Sequence, residues 1–208
     1  MVKYIGLQYV IWSCKSVMRI ITGTAKGCNL KTPKGMSTRP TSDRVKESLF
    51  SILGGEVEGT RVLDIFAGTG ALGLEALSRG AREAVFIDKA TDKLIRENAQ
   101  HCRLSDRAEI LKGDVFAQLN RLSVQGRRFD LVFCDPPYHE GLWQKAISWL
   151  DDNELLAPRA LVVLERGGEN EPLPELKRLK LLKNQRYGNT TQIDFLELPE
   201  LMKEEVEP

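Results

Sequence analysis

The sequence of 208 residues predicts an α/β fold, a mainly parallel sheet with helices on both faces and a small β-hairpin ahead of it. Three observations predict this. Short, nearly continuous apolar runs alternate with segments of helical period, the pattern of strands buried on both faces. The first central run, Val62-Leu63-Asp64-Ile65-Phe66, passes straight into Ala67-Gly68-Thr69-Gly70-Ala71-Leu72-Gly73, a glycine-rich turn into a helix. The fourth, Phe129–Cys134, ends on Asp135-Pro136-Pro137-Tyr138, a stiffened exit loop carrying an acid and an aromatic ring.

The elements follow in order. Residues 1–17 contain an apolar run from Ile5 to Trp12 that is too short to span a bilayer and is followed by no A-x-A-like cleavage site. The strand-like pattern begins at Met18, so Met18 is expected to be the native start and residues 1–17 an extension outside the fold. Arg19-Ile20-Ile21-Thr22, the Gly23–Gly27 turn and Cys28-Asn29-Leu30-Lys31 read as a hairpin outside the main sheet, within a segment 18–40. From Thr41 to Leu53, Val45, Leu49, Ile52 and Leu53 mark a helix with one buried face, and Thr41 or Ser42 suits its cap. The main domain, 41–198, then offers strands at Arg61–Phe66, Ala84–Asp88, Ala108–Leu111, Phe129–Cys134, Ala160–Glu165, Leu179–Gln185 and Gln192–Leu198. The last two leave no room for a crossover helix across Arg186–Thr191 and so form an antiparallel hairpin. Residues 199–208 are an acidic tail.

Net charge is +1 and says nothing of partners, but its distribution does. From Lys15 to Lys46 eight basic residues, Lys15, Arg19, Lys26, Lys31, Lys34, Arg39, Arg44 and Lys46, are opposed only by Asp43. That polarity suits a polyanion near the N-terminus. The four cysteines, Cys14, Cys28, Cys102 and Cys134, have no C-x-x-C spacing, and the histidines are only His101 and His139. Neither a zinc site nor a disulfide framework is indicated, so a reduced, cytoplasmic protein is expected.

The spacing Gly68, Gly70, Gly73 lets the backbone turn tightly and a ligand approach a helix N-terminus. Alone it suits a nicotinamide cofactor, S-adenosylmethionine, or a merely tight turn. Asp88, closing the next strand, can accept ribose hydroxyls under either cofactor reading. Asp64 tips the balance, because a carboxylate there repels a pyrophosphate yet can receive the ammonium end of a methionine moiety. Asp114, with Val115 or Phe116 beside it, suits an adenine amino group and ring. Two structural roles compete: Asp64 as a turn brace and Asp114 as a helix N-cap.

In an open parallel sheet the loops after the first and fourth strands should face each other at the topological switch. An exocyclic base amine is a poor nucleophile, since its lone pair is delocalised. If the Asp135 carboxylate and the Pro136 carbonyl each accept one N–H, the lone pair can turn towards an incoming methyl group, with Tyr138 stacking on the base. The task is positioning and charge stabilisation rather than strong-base catalysis, so no catalytic histidine is required, and His139 is read as a loop surface residue.

The segments Asp64–Gly73 and Asp135–Tyr138 resemble motifs of the class I S-adenosylmethionine-dependent methyltransferases that modify amino groups. Arg39-Pro40-Thr41-Ser42-Asp43-Arg44-Val45-Lys46-Glu47-Ser48-Leu49-Phe50, preceded by Arg19-Ile20-Ile21-Thr22-Gly23 and followed late in the chain by Tyr187-Gly188-Asn189-Thr190, resembles more narrowly the RsmD family of bacterial 16S ribosomal RNA guanine-N2 methyltransferases. The similarity runs from Met18 to about Leu198, leaving out residues 1–17 and the acidic tail. It implies a seven-stranded, Rossmann-like class I methyltransferase sheet with an N-terminal hairpin, S-adenosyl-L-methionine as cofactor, and a guanine of the position-966 type as target. The implied partner is 16S rRNA in the small ribosomal subunit or its assembly intermediate, modified in the cytoplasm by a monomer without metal or membrane.

Carried over by motif, Asp135, Pro136, Pro137 and Tyr138 would hold the guanine. Asp64, Phe66, Ala67, Gly68, Gly70, Asp88, Lys89, Asp114 and Val115 would hold the cofactor, bordered by Arg39 and Thr41. Arg19, Lys26, Arg39 and Arg44 would meet RNA. No segment after Tyr138 is large enough for a separate DNA-recognition domain, which favours a folded RNA whose unstacked base enters the site. Two other readings stay open. One is an adenine-N6 or protein-amide methyltransferase of the same fold, although many protein-glutamine enzymes would carry Asn at the place of Asp135. The other is an RNA-binding assembly factor with a vestigial site, against which Asp64, Gly68 and Asp88 speak.

Overall fold

A computed structural model describes residues 18–33, 43–137, 141–167, 171–188 and 191–200. The apolar runs become strands that are dry on both faces: β1 (Arg61–Ile65), β2 (Glu83–Asp88) and β4 (Phe129–Cys134) are buried almost throughout. β3 (Ala108–Lys112), β5 (Leu156–Gly167), β6 (Lys180–Tyr187) and β7 (Thr191–Glu197) complete one sheet in the order β3-β2-β1-β4-β5-β7-β6. β1 lies parallel to β2 and β4, while β7 runs antiparallel between β5 and β6. The expected final hairpin is therefore present, and its second strand is the one that inserts.

Helices α1 (Asp43–Leu53), α2 (Ala71–Ser78) and α3 (Asp92–His101) cover one face, giving Leu49, Phe50, Leu74, Leu77 and Ile95 to a core shared with Phe86 and Phe133. On the other face α4 (Val115–Val124) and α5 (Leu142–Asp152) bury Leu119, Leu122, Ile147 and Leu150 against Leu63, Val132 and Val162. Strand boundaries shift by one or two residues from expectation, as at β6, which runs to Tyr187 rather than Gln185, and by more at the start of β5. β5 begins at Leu156 rather than Ala160, with Arg159 at φ 61° and a shift of register between Phe129 and Leu131 on its partner. Pro158 and Arg159 interrupt the apolar run there, so periodicity sees the strand only beyond them. The cap expected at Thr41 or Ser42 lies outside the described residues.

The hairpin is held by a single bridge, Arg19 with Asn29, flanked by the Ile20 amide on the Cys28 carbonyl at 2.9 Å and the Leu30 amide on the Met18 carbonyl at 2.8 Å. It is not a loose appendage. Met18, Ile20 and Leu30 are buried in the core under α1 and α2. Its backbone also ends on α2: the amides of Ile21 and Thr22 donate to the Glu75 carboxylate at 2.7 and 3.0 Å, and the Ala25 amide donates to Ser78 Oγ at 2.9 Å.

Glu75 is wholly buried and is met by Arg79 at 2.8 Å and Lys46 at 3.8 Å. This corrects the charge reading, in which Lys46 counted towards a basic face. Its side chain is fully buried, its Nζ donates to the Arg19 carbonyl, and burial pulls its pKa down while Glu75 pulls it up. Lys46 falls on the inward stripe of α1, where a cation persists because it has a carboxylate to meet.

Removing Glu75 leaves the buried Lys46 with the Arg19 carbonyl but no carboxylate to meet its charge, and takes the acceptor from the Ile21 and Thr22 amides. Glu75→Ala is expected to lower unfolding free energy by about 3–5 kcal/mol in urea titrations. In native-state hydrogen exchange it should unprotect Ile21 and Thr22 first; unchanged protection there would show that the hairpin is held without Glu75, by its apolar contacts and by Ser78.

Candidate active site

The register of β1 on β4 sets Leu63 beside Val132, Asp64 beside Phe133 and Ile65 beside Cys134, so both chains leave the sheet together at its carboxyl edge. From β1 the backbone bends at once. Phe66, Gly68 and Gly70 all take positive φ, at 62°, 55° and 77°, a sequence of left-handed residues that favours glycine at two of the three places. The Ala67 amide reaches the Ile87 carbonyl at 3.1 Å, and the Gly70 amide closes on the Ala67 carbonyl at 2.7 Å. Gly73 is needed for a different reason. A Cβ there would lie 2.3 Å from a ring carbon of Phe86 and 3.1 Å from Asp64 Oδ2, so only a bare α-carbon lets α2 settle on β1 and β2.

Two carboxylates brace this loop. Asp64, 3 % exposed, accepts the Gly73 amide on Oδ2 at 2.9 Å. Burial raises its pKa from 3.8 to about 8, against the pull of the Gly73 amide and with a further push from Asp88. Asp88 accepts the Gly68 amide on Oδ2 at 3.0 Å and the Ala90 and Thr91 amides on Oδ1 at 2.8 and 2.9 Å. Three amides against roughly four acceptor sites leave it little more than one for a ligand hydroxyl. Asp114 caps α4 through Oδ1, which takes the Ala117 amide at 3.0 Å, so the capping role is realised. Val115 is buried beside it, whereas Lys89 is exposed.

From β4, Asp135 is half-buried, Pro136 buried and Pro137 exposed. The Asp135 carboxyl is held well above the usual carboxylate range, first by burial, then by the negative charges of Glu165 and Asp64. Phe66, Ala67, Gly68, Gly70, Asp64 and Asp88 are thus brought together, with Asp135 and Pro136 on the adjoining loop. Tyr138, Arg39 and Thr41 lie outside the described residues.

Of the expected RNA contacts, Lys26 and Arg44 are exposed, and Arg19, also exposed, is paired with Asp43 at 3.0 Å. Glu165 was not among the residues singled out by the sequence. Its signal was slight, an acid closing the apolar run Leu161-Val162-Val163-Leu164, and its closeness to Asp135 depends on which strands become neighbours. Among the described residues no group of three His, Cys, Asp or Glu could hold a metal, and no helix is long and apolar enough to cross a membrane.

Residues 18–195 match the model of the family described as Conserved hypothetical protein 95. The ribosomal RNA small subunit methyltransferase D of Haemophilus influenzae is 37% identical over 179 residues, 85% of this chain and 92% of that protein. Its Escherichia coli namesake is 38% identical over 155 residues, 74% of this chain and 76% of that one. Among solved structures, a candidate methyltransferase of Escherichia coli superposes with a TM-score of 0.75 at 34% identity, covering 87% of this chain and 97% of its own. An RNA methyltransferase of Salinibacter ruber in complex with S-adenosyl-L-homocysteine shares the fold, with a TM-score of 0.58 at 19% identity over 81% of this chain and 99% of its own.

Asp64 makes stability depend on pH in an unusual direction. Its folded pKa, about 8, lies above the ordinary 3.8, so its contribution is full below the unfolded value and is lost as pH rises through the folded one. Asp64→Asn keeps an acceptor for the Gly73 amide and cannot ionise. Urea unfolding between about pH 5 and pH 9 should show the wild type losing stability relative to D64N; parallel pH profiles would show that Asp64 does not titrate in this range.

Proposed function

The chain belongs to the RsmD family, and from that premise we propose that it is a cytoplasmic methyltransferase that carries a methyl group from S-adenosylmethionine to the N2 amino group of a guanine in 16S ribosomal RNA, at the position-966 type of target. The observation that carries this reading is the register of Ile65 on Cys134, which sets the glycine loop and Asp135 side by side. A donor site and an acceptor grip share one edge of the sheet.

The residues present fit the cofactor. The positive-φ glycines open a cradle at the N-terminus of α2, and Asp64 is a buried carboxylate whose raised pKa marks it as short of a cationic partner. Asp64 would take the ammonium group directly or through water, Asp88 a ribose hydroxyl, and Asp114 with Val115 the adenine. When bound, S-adenosylmethionine supplies an electrophilic methyl group on a sulfonium.

The protein's own part is to present the amine. The Asp135 carboxylate and Pro136 carbonyl accept the two N–H groups and turn the nitrogen lone pair towards the donor. As the nitrogen becomes cationic, the carboxylate charge beside it stabilises the developing positive charge. Pro136 and Pro137 stiffen the carrier of these acceptors, so little reorganisation is needed at the moment of transfer. Exposed Lys26, Arg44 and Arg19 would contact phosphates and position the small subunit or its assembly intermediate.

The decisive experiment is transfer of label from S-adenosylmethionine to 16S rRNA and to partly assembled subunits from a strain lacking the enzyme, followed by mapping of the methylated atom; a product other than N2-methylguanine overturns the proposal. Asp135→Ala is expected to retain cofactor affinity while slowing methyl transfer by about two orders of magnitude or more in single-turnover assays; wild-type turnover would remove Asp135 from the mechanism. Lys26→Ala and Arg44→Ala should weaken RNA binding and each reduce the slope of log K against log salt by about one. Unchanged slopes in filter-binding titrations would place the phosphate contacts elsewhere.

A further inference from the structure

We propose that the open edge of the sheet, strand β6, is a second contact surface for the phosphate backbone of the substrate RNA, with Lys183 and Lys180 as its contacts. The inference rests on the ribosomal RNA reading above and extends it to where the polymer lies beyond the hairpin and α1.

Residues 177–187 carry Lys177, Arg178, Lys180, Lys183 and Arg186 and no acid. Three of these five fall on β6, which ends the strand order and is paired on one side only, by β7. Lys177 is taken by Asp152 at 2.6 Å, whereas Lys180 and Lys183 are exposed and, among the described residues, have no ion-pair partner.

The register on β7 places both lysines on one face of the sheet. Lys183 lies opposite Phe195 and Lys180 opposite Glu197, with a shift between Leu181 and Lys183 that takes up Leu182 as an extra residue. In a regular strand positions 180 and 183 would point to opposite faces; the bulge brings them together. Gln185 follows Ile193 and Tyr187 follows Thr191 onto that same face. Phe195 and Ile193 belong to the core under α1 and α2, so this is the side that bears α1 and the hairpin.

Two contacts join it to the basic surface already described. Tyr187 donates to Ser48 Oγ at 2.6 Å, and Ser48 lies one turn along α1 from the exposed Arg44. Asp43, next to Arg44, holds Arg19 of the hairpin at 3.0 Å. A basic line thus runs from the hairpin over the start of α1 to Tyr187 and on to Lys183 and Lys180. β6 runs parallel to β5, and Gln185 stands level with Glu165 across Ile193, so the end of β6 reaches the same edge of the sheet as Asp135. Three strand spacings separate it from β4, about 14 Å.

Lysines and a bulge also shield an open edge from pairing with another chain. Shielding needs no common face, whereas an extended polyanion does. Lys180 has Glu197 opposite it and Lys183 has Phe195, so Lys183 carries the larger share.

The test is filter binding of 16S rRNA over a range of salt by the wild type, Lys183→Ala, the double variant Lys180→Ala/Lys183→Ala and, as a control, Lys177→Ala. Lys183→Ala is expected to reduce the slope of log K against log salt by about one, and the double variant by more. Affinity for S-adenosylmethionine and the urea midpoint should stay at the wild-type values, and Lys177→Ala should keep the wild-type slope. Wild-type slopes in both β6 variants overturn the proposal and leave the RNA reading standing, as does an equal loss from Lys177→Ala. Variants that keep the slope but self-associate in gel filtration show that the lysines only shield the edge, which also overturns it. A wild type that binds 16S rRNA without salt dependence, or not at all, overturns the underlying reading and the inference with it.

Discussion

The parallel pairing of β1 with β4 is the constraint on which the rest depends. Both strands are buried on both faces, so a slip of one residue would turn Asp64 and Phe133 out of one core and into the other. The apolar sequence therefore holds Ile65 opposite Cys134, and that register alone sets the distance between the glycine loop and Asp135. The order of strands adds the switch point: β2 and β3 lie to one side of β1, and β4 with all later strands to the other. A crevice at the carboxyl edge follows from that divergence.

Around this edge the protein keeps three carboxylates, Asp64, Asp135 and Glu165, in partial or full burial, and the pKa values of Asp64 and Asp135 are raised. Such a cluster is costly in the absence of ligand, because each charge raises the cost of its neighbours. Under the proposed function the ligands bring compensating groups: an ammonium for Asp64 and a base N–H donor for Asp135.

Behind the site, the Glu75 carboxylate joins α2 to α1 through Lys46 and to the hairpin through Ile21 and Thr22. α2 begins at the glycine loop, and Gly73 within it meets Asp64. The same helix thus touches the brace of the glycine loop at one end and the basic hairpin further along. On β6, Tyr187 donates to Ser48 Oγ at 2.6 Å and ties the far edge of the sheet to α1. The segment read as a surface for a polyanion is consequently seated on the same body as the glycine loop.

Much of this was legible in the chain. Near-continuous apolar runs give the central strands β1, β2 and β4, because burial on both faces leaves no alternation to blur them, whereas β3 and β6 lie at the edges of the sheet and are more exposed. Glycines at 68, 70 and 73 mark a tight strand-to-helix turn that several cofactors would suit, and the loop from Asp135 narrows the reading through its acid and its two prolines. Family resemblance supplied the substrate class. What stayed hidden depends on contacts between residues far apart in sequence. Lys46 looked like part of a basic surface until its burial against Glu75 appeared, since formal charge does not report which side of α1 faces inward. Glu165 lay thirty positions from Asp135 and became its neighbour only through the pairing of β5 with β4, and β7 entered between β5 and β6 although it comes last. Local pattern determined the elements and the donor and acceptor motifs, because periodicity and backbone freedom are properties of short segments; tertiary structure decided which charges meet, because that is a property of strand order and register.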